Sequence, residues 1–190
     1  MTSKTALRKR LKTRRKRLRR TVGRPLHGES LLPHWPDSFA DLFVAGYYPT
    51  DTEFDVMPLL QTLRLAGVAT GLPRIRSKTE PLEFKLWQQG EALRAGPFDI
   101  KQPVASAPPF TPHIILCPLL GFDARGGRIG YGGGYYDRTL AAMPAALAIG
   151  IAFDEQEVDA VPREPHDQML DAVLTPSGLR DFSTARLTAA

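Results

Sequence analysis

The feature that most constrains this chain is a glycine-rich segment, GRIGYGGGYYDRTL (127–140), which closely follows a continuous apolar run, HIILCPLLGFD (113–123). Such a run is typical of a strand buried on both faces of a largely parallel sheet. The residues after the glycines, YYDRTLAAM, predict the start of a helix. Five of the eight positions from Gly127 to Gly134 are glycine, and each costs about 0.5–1 kcal/mol relative to alanine in regular structure. The segment therefore either shapes a loop or lets a ligand approach the backbone closely.

Apolar runs alternate with helical patterns along the rest of the chain. Further strands are predicted in ADLFVAGYYP (40–49), VATGLPRI (68–75), LEFKLWQ (82–88), AALAIGIAF (145–153) and, after a loop, at the end of HDQMLDAVLTP (166–176). TDTEFDVMPLLQTLRLAG (50–67) predicts a helix with Thr or Asp as its N-cap and Gly67 after its last turn, and GPFDIKQP (96–103) predicts an extended loop. The alternation predicts an α/β fold: three layers, α/β/α, around a mostly parallel sheet, in a single domain over residues 1–190.

The cysteine content and the hydropathy exclude several classes of protein. Cys117 is the only cysteine, which excludes a disulfide framework and a cysteine metal cluster. Its apolar neighbours indicate a buried side chain rather than a nucleophile. No apolar run approaches the roughly 20 residues that a membrane-spanning helix needs. We expect a cytoplasmic protein.

The positive charge is concentrated at the N-terminus. Twelve of the 25 Lys and Arg residues fall within residues 1–24, which contain no acid, whereas residues 25–190 hold 13 basic and 20 acidic residues. Three interpretations are open: an amphipathic helix over residues 1–22 docked on the body, an arm that binds nucleic acid or an acidic membrane, and a transit peptide. A stripe at helical spacing favours the docked helix. The stripe consists of Leu7, Leu11, Leu18 and Val22, and Lys4, Arg8 and Arg15 lie along one of its borders.

The glycine segment suits the binding of an anion, although it matches neither common phosphate motif. The dinucleotide-binding motif G-x-G-x-x-G, begun at Gly130, would need a glycine at position 135, where this chain has tyrosine. A P-loop would need a lysine, which the segment lacks. The backbone N–H groups of consecutive glycines can nevertheless converge on an anion, and the helix N-terminus that follows also favours the binding of a phosphate group. Asp137 would repel that phosphate unless a divalent cation such as Mg²⁺ lay between them, and Arg128 and Arg138 could add positive charge. The alternative is a tight hairpin, FDARGGRIG, that runs into a flexible turn, and the paired tyrosines favour a planar ligand over it.

The motif GFDARGGRIGYGGGYYDRTL closely resembles the pattern G-F-D-x-x-G-x-R-[IL]-G-R-G-G-G-Y-Y-D of the 5-formyltetrahydrofolate cyclo-ligases. Further segments resemble that family in the family's order: Lys4 with LR at 7–8, EFDV at 53–56, LPRI at 72–75, FDIKQP at 98–103 and HDQMLDAVLTP at 166–176. The resemblance thus spans nearly the whole chain. It departs at Tyr131, which stands at the position of an arginine, and we expect Arg128 or Arg138 to compensate for the missing charge.

The resemblance implies an enzyme that converts 5-formyltetrahydrofolate and ATP into 5,10-methenyltetrahydrofolate, ADP and phosphate, with Mg²⁺. It implies catalytic roles for Lys4, Arg8 and Asp137. The implied nucleotide-binding residues are Lys4, Arg8, Arg128, Gly130, Gly132, Gly133, Gly134 and Tyr136. The implied folate-binding residues are Glu53, Phe98, Tyr131 and Tyr135. Asp137 and Asp171 would hold the metal.

The expected partner is the small-molecule folate alone, without nucleic acid or membrane, and the expected state is a monomer. Two other functions stay open at this point: a relative of the same fold with altered activity, and an RNA-binding protein that uses the basic helix. Taken singly, Asp171 is also compatible with a turn or cap residue, and Glu53 with an acid in the first turn of a helix.

Overall fold

The computed structural model describes residues 3–21, 28–50 and 52–187. The strands in these ranges, in chain order, are β1 (Val44–Ala45), β2 (Thr70–Arg74), β3 (Glu83–Leu86), β4 (Leu93–Ala95), β5 (Lys101–Pro103), β6 (Ile114–Pro118), β7 (Gly121–Phe122), β8 (Arg128–Ile129), β9 (Leu147–Ile151), β10 (Ala172–Thr175) and β11 (Gly178–Asp181). Seven of them form one sheet in the order β11-β10-β9-β6-β1-β2-β3. The inner strands pair in parallel, and each edge strand pairs antiparallel with its neighbour. The mostly parallel sheet is therefore confirmed.

Helices cover both faces of the sheet. The α-helices in the described ranges are α1 (Lys4–Thr21), α2 (Met57–Leu65), α3 (Tyr135–Ala142) and α4 (Thr184–Leu187), and short 3-10 helices cover Gly28–His34, Asp37–Phe39, Pro97–Asp99 and Asp154–Gln156. Along β6, Ile114 and Leu116 pack in the cluster that contains the buried leucines of α2. Ile115 and Cys117 point to the other face and pack in the cluster that contains Leu140 of α3. This alternation confirms the three layers, and burial raises the pKa of Cys117 to about 12, in agreement with an inert thiol.

Helix α1 packs its apolar stripe on the body. Leu7 and Leu11 are buried in a cluster with four residues from the strands and loops below: Leu120, Ile129, Val158 and Val161. Fully burying a leucine side chain stabilises a fold by about 1.5–3 kcal/mol, so the stripe holds the helix in place in spite of its charge. Val22, the last residue of the predicted stripe, lies outside the described residues. Within the described ranges, no helix combines the length and the apolar content that crossing a bilayer requires.

Three predicted elements differ from the structure. The strand predicted at 40–49 is confined to β1. The helix predicted from residue 50 begins only at Met57. Proline is tolerated in the first turn of a helix, where Pro58 lies, but in the interior of a longer helix that began near residue 50 it would break the hydrogen-bond ladder. The Asp55 carboxylate accepts a hydrogen bond of 3.0 Å from Met57 N, and residues 52–56 lie in a turn before α2. The loop predicted at 96–103 contains β5, which pairs with β4 as a hairpin.

Candidate active site

The glycine segment forms a hairpin followed by a loop. Strands β7 and β8 pair antiparallel, so the hairpin weighed as an alternative is present, and it leads into a loop over residues 130–134. Gly132 (φ 99°) and Gly134 (φ 67°) lie in the left-handed region, which glycine adopts without steric cost. Gly134 immediately precedes α3. The loop therefore has the strand–loop–helix setting that the sequence predicts.

Helix α1 brings two cations to this loop and its surroundings. Arg8 Nε donates a hydrogen bond to Gly130 O at 3.1 Å, and a Cβ added at Gly132 would lie 3.2 Å from Arg8 Cζ. Lys4 Nζ contacts Asp167 Oδ2 at 2.6 Å and Glu164 Oε2 at 3.0 Å. Burial opposes the charge of Lys4, but these bonds outweigh it and raise the pKa of Lys4. Arg8 thus contacts the loop directly, whereas Lys4 is held by two acids.

Asp137 lies in the first turn of α3 and forms an ion pair with Arg128. Arg128 Nη2 donates to Asp137 Oδ1 at 2.8 Å, and Gln168 N approaches the same oxygen at 3.2 Å. Arg128 is buried, and its Nε has no hydrogen-bond partner among the described residues. The structure therefore brings two of the predicted site residues together at the end of the glycine loop.

Asp171 has different partners. It lies just before β10, and its two carboxylate oxygens accept hydrogen bonds from Arg186 Nη1 at 2.8 and 3.0 Å. Ala148 N donates a further bond of 2.8 Å to Oδ2. In the described part of the chain, no hydrogen bond joins it to Asp137.

In the described ranges, one group of three side chains, two carboxylates and a histidine, has its potential ligand atoms close enough together to bind one metal ion. It consists of Glu164, His166 and Asp167, and it includes neither of the two predicted metal ligands. The ammonium of Lys4 already bonds two of its members.

Glu53 is buried in the turn before α2. It is 7% exposed, and its Oε2 accepts a hydrogen bond of 2.8 Å from Thr50 N. Because α2 begins only at Met57, the interpretation of Glu53 as a first-turn helix acid is wrong. Its carboxylate is therefore largely shielded from bulk water.

The predicted folate-stacking aromatic residues lie near each other. The ring centroids of Phe98 and Tyr135 are 6.5 Å apart in an edge-on arrangement. Phe98 is 70% exposed, and both it (φ 61°) and Asp99 (φ 57°) have left-handed backbone angles, which cost about 1–3 kcal/mol at residues other than glycine. Burial raises the pKa of the adjacent Tyr136, which keeps its hydroxyl protonated.

Two cationic side chains for which the sequence predicted no functional role lie next to Tyr131. Lys12 Nζ lies 4.8 Å from the centroid of the Tyr131 ring, and Arg15 Nη2 donates to the Tyr131 hydroxyl. Arg128 bonds Asp137 instead, and Arg138 donates to the carbonyl oxygens of residues 78, 80 and 133. Neither arginine therefore contacts Tyr131 itself, and the expectation that one of them compensates for the missing charge near the ligands stays a prediction.

Comparison with known proteins decides the family. The family model described as the 5-formyltetrahydrofolate cyclo-ligase family matches residues 1–176. The chain belongs to this family. A 5-formyltetrahydrofolate cyclo-ligase of Mycolicibacterium smegmatis is 35% identical over 145 residues, which cover 70% of this chain and 73% of the relative. The Escherichia coli K12 protein of the same name is 33% identical over 141 residues, covering 70% and 78%.

The fold agrees with that of a solved relative. The NMR structure of Aquifex aeolicus 5,10-methenyltetrahydrofolate synthetase matches with a TM-score of 0.75 and 26% identity, over 94% of this chain and 92% of that one. The family resemblance and the α/β fold predicted from the sequence are thus confirmed for this cyclo-ligase family member.

Arg15 is the more deeply buried of the two cations next to Tyr131 in this family member. Its place beside Lys4 and Arg8 on the border of the helical stripe was visible in the sequence. Nothing in that pattern indicated that its side chain would be almost fully buried, at 1% exposure.

Proposed function

We propose that this chain catalyses the ATP-dependent conversion of 5-formyltetrahydrofolate to 5,10-methenyltetrahydrofolate, with release of ADP and phosphate. The observation that carries the proposal is the contact of Arg8 with the glycine loop, beside the pair of Arg128 and Asp137. Exposed backbone, a helix N-terminus and a guanidinium meet there, and together they suit the phosphates of a nucleotide. The names of the relatives specify the folate substrate.

The reaction needs activation of a formyl oxygen, which is otherwise a poor leaving group. The γ-phosphoryl group of ATP is transferred to that oxygen, and the bond to ADP breaks. The N10 electron pair then attacks the formyl carbon, the C–O bond breaks with departure of phosphate, and N10 loses its proton. Positioning and charge stabilisation are the main demands of such chemistry, so no nucleophilic side chain is required.

The residues of the loop and of α1 would bind and orient the nucleotide. Within the described residues, the terminal nitrogens of Arg8 have no hydrogen-bond partner, so they are available to phosphate oxygens. The backbone of Gly130 and of Gly132 to Gly134 allows close approach, and Tyr136 would line the same site. Lys4 would share its ammonium between phosphate and the two acids that now hold it.

Asp137 fits a Mg²⁺ ligand, since Mg²⁺ usually binds one or two carboxylates together with substrate phosphates and water. Its Oδ2 has no hydrogen bond among the described residues. The second implied ligand, Asp171, would bind the ion only after Arg186 releases it. When bound, Mg²⁺ would neutralise charge on the transferred phosphoryl group.

Glu53 would accept hydrogen bonds from the amino and ring N–H groups of the pterin, which match a carboxylate acceptor. Phe98, Tyr131 and Tyr135 would flank the folate. The proposal includes a monomer that acts in the cytoplasm without nucleic acid or membrane.

Incubation of the protein with 5-formyltetrahydrofolate and MgATP tests the proposal. We expect the near-ultraviolet absorbance of the methenyl product to rise only when ATP is present, with one ADP formed per product. Absence of product would reject the proposal. RNA binding that falls steeply with salt and survives the Asp137→Asn substitution would favour the RNA-binding alternative instead.

A further inference from the structure

Arg15 is a buried cation on a helix whose other described cations are mostly at the surface. At 1% exposure it is among the largest fully buried side chains of the molecule. Burial of a guanidinium carries a large desolvation penalty unless the group is well paired. Among the described residues, the carboxylate that pairs with it is that of Glu53, whose Oε1 lies 4.0 Å from Arg15 Nη1.

The hydrogen bonds of Arg15 join three separate parts of the chain. Its Nη1 donates to Leu119 O, just after β6, at 3.0 Å. Its Nη2 donates to Thr52 Oγ1, in the turn that contains Glu53, at 2.9 Å. The same nitrogen donates to the hydroxyl of Tyr131 in the glycine loop. One side chain thus links the proposed nucleotide loop to the proposed folate-binding turn.

Two polar atoms at this junction have no partner among the described residues. They are Arg15 Nε and Thr50 Oγ1, and both are buried. Native structures rarely leave such groups unpaired, so partners supplied by a ligand or by ordered water are expected here. Tyr131 is 51% exposed, so a ligand that fixes the loop can act on Arg15 through its hydroxyl.

We propose that Arg15 is a positioning residue that couples the two substrate sites, so that nucleotide bound at the glycine loop strengthens folate binding at Glu53, and the reverse. This inference rests on the proposed function. A nucleotide that orders the loop fixes the Tyr131 hydroxyl, which holds the guanidinium and with it Thr52 and the Glu53 turn. Because coupling between two binding sites is reciprocal, each ligand changes the affinity of the other by the same factor.

Calorimetric titration measures this factor. The affinity of a non-hydrolysable ATP analogue is determined with and without saturating 5-formyltetrahydrofolate, and the ratio of the two dissociation constants is the coupling factor. For the wild type we expect a factor within the common range of about 5–150. A wild-type factor near one would overturn the inference.

Two conservative variants break the link at opposite ends and leave Arg15 in place. Tyr131→Phe removes the hydroxyl but keeps the ring. Thr52→Val removes the other side-chain acceptor of Arg15 Nη2, which lies in the turn that contains Glu53. We expect each to bring the coupling factor close to one, and because this factor is a ratio of two dissociation constants, it is separate from any change in the affinity of either ligand alone. The double variant should lose no more than either single variant, because the residues act through one chain of contacts.

Arg14→Gln is the matched control, because Arg14 is the exposed neighbour on the same helix, and its one side-chain hydrogen bond to a described residue is to Glu157 O, at 3.3 Å. It should keep the wild-type factor. Wild-type coupling in both single variants would reject the inference while leaving the function intact. A wild type that forms no methenyl product would reject the proposed function, and the inference with it.

Discussion

Arg8 and Gly130 are joined by a hydrogen bond of 3.1 Å although 122 positions separate them in the sequence. The bond places the most basic segment of the chain against its most glycine-rich one. Among the residues that the structure describes, Arg8 is bonded through Nε alone, so the contact sets its position and leaves its remaining donors for a ligand. The N-terminal helix is therefore part of the candidate site as well as a cover over apolar residues.

Replacing Arg8 by Gln should lower kcat/KM for ATP by at least about tenfold, which corresponds to about 1.4 kcal/mol of transition-state stabilisation. Glutamine cannot provide the charge or the paired donors of a guanidinium. Steady-state kinetics with varied ATP measures the effect. Arg10→Gln, an exposed substitution on the same helix, serves as the control and should change kcat/KM less than twofold. Equal effects of the two substitutions would show that general helix charge, rather than Arg8, matters.

Asp137→Asn should reduce Mg²⁺-dependent turnover by about a hundredfold or more and stability by only about 1–3 kcal/mol. The amide keeps an oxygen for Arg128 but loses the charge that attracts a divalent cation, and a lost charge-assisted hydrogen bond accounts for a stability change of that size. Initial rates over a Mg²⁺ titration and urea unfolding of the same samples separate the two effects. Full activity at saturating Mg²⁺ would contradict the role of Asp137.

Arg186→Gln tests whether Asp171 has a role beyond its ion pair with Arg186. The substitution leaves a buried carboxylate without its guanidinium partner, and we expect it to destabilise the fold by about 3 kcal/mol or more. If Asp171 also binds the metal, its release should lower the Mg²⁺ concentration needed for half-maximal activity. An unchanged Mg²⁺ requirement in a folded variant would assign Asp171 a purely structural role.

The pair of Lys4 and Asp167 should make stability depend on pH at the acidic end. Burial alone would raise the pKa of Asp167, but the hydrogen bonds from Lys4 Nζ and Glu164 N outweigh it and hold that pKa below its ordinary value of 3.8. A lowered folded-state pKa contributes stability above the ordinary value, and this contribution is lost as the pH falls through the folded-state value.

Asp167→Asn should therefore reduce the free energy of unfolding by about 0.5–1 kcal/mol at pH 7, and the difference from wild type should shrink below about pH 4. Urea unfolding at several pH values between 2.5 and 7 measures this convergence. Asp159→Asn, at an exposed position, provides the control. A difference that stays constant down to pH 2.5 would mean that the ion pair does not contribute through its charge.

The elements that the sequence predicted well are those that local pattern determines. The apolar run 113–123 specifies β6, and the glycines after it require a loop, because backbone angles such as that of Gly132 are open to few other residues. The helical period of the N-terminal segment placed Lys4 and Arg8 beside the stripe that docks α1. Spacing alone thus indicated that these two cations lie close to the surface of the body.

Long-range partners determined what the sequence did not predict. Arg15 obtains its three acceptors from residues 37, 104 and 116 positions away, so its burial depends on the assembled fold. Asp171 likewise meets a guanidinium from α4, and a carboxylate after a loop looks the same in sequence whether it binds a cation or a side chain. Helical period gives the face of a helix, but tertiary packing decides which border charges turn inward.

Tyr131→Arg tests whether the charge that the family pattern led us to expect at this position is already supplied. An arginine beside a transferring phosphoryl group can contribute strongly to transition-state stabilisation. Here, however, Lys12 lies 4.8 Å and Arg15 5.2 Å from the centroid of the tyrosine ring. A third cation at that place would be repelled by the other two, and the bond from Arg15 to the hydroxyl would be lost. We therefore expect kcat to change by less than about tenfold, equivalent to under about 1.4 kcal/mol of barrier.

Comparison with Tyr131→Phe under saturating substrates isolates the added charge from the loss of the hydroxyl. A gain of several orders of magnitude would mean that Lys12 and Arg15 do not supply the charge and that the natural chain is a weakened member of its family.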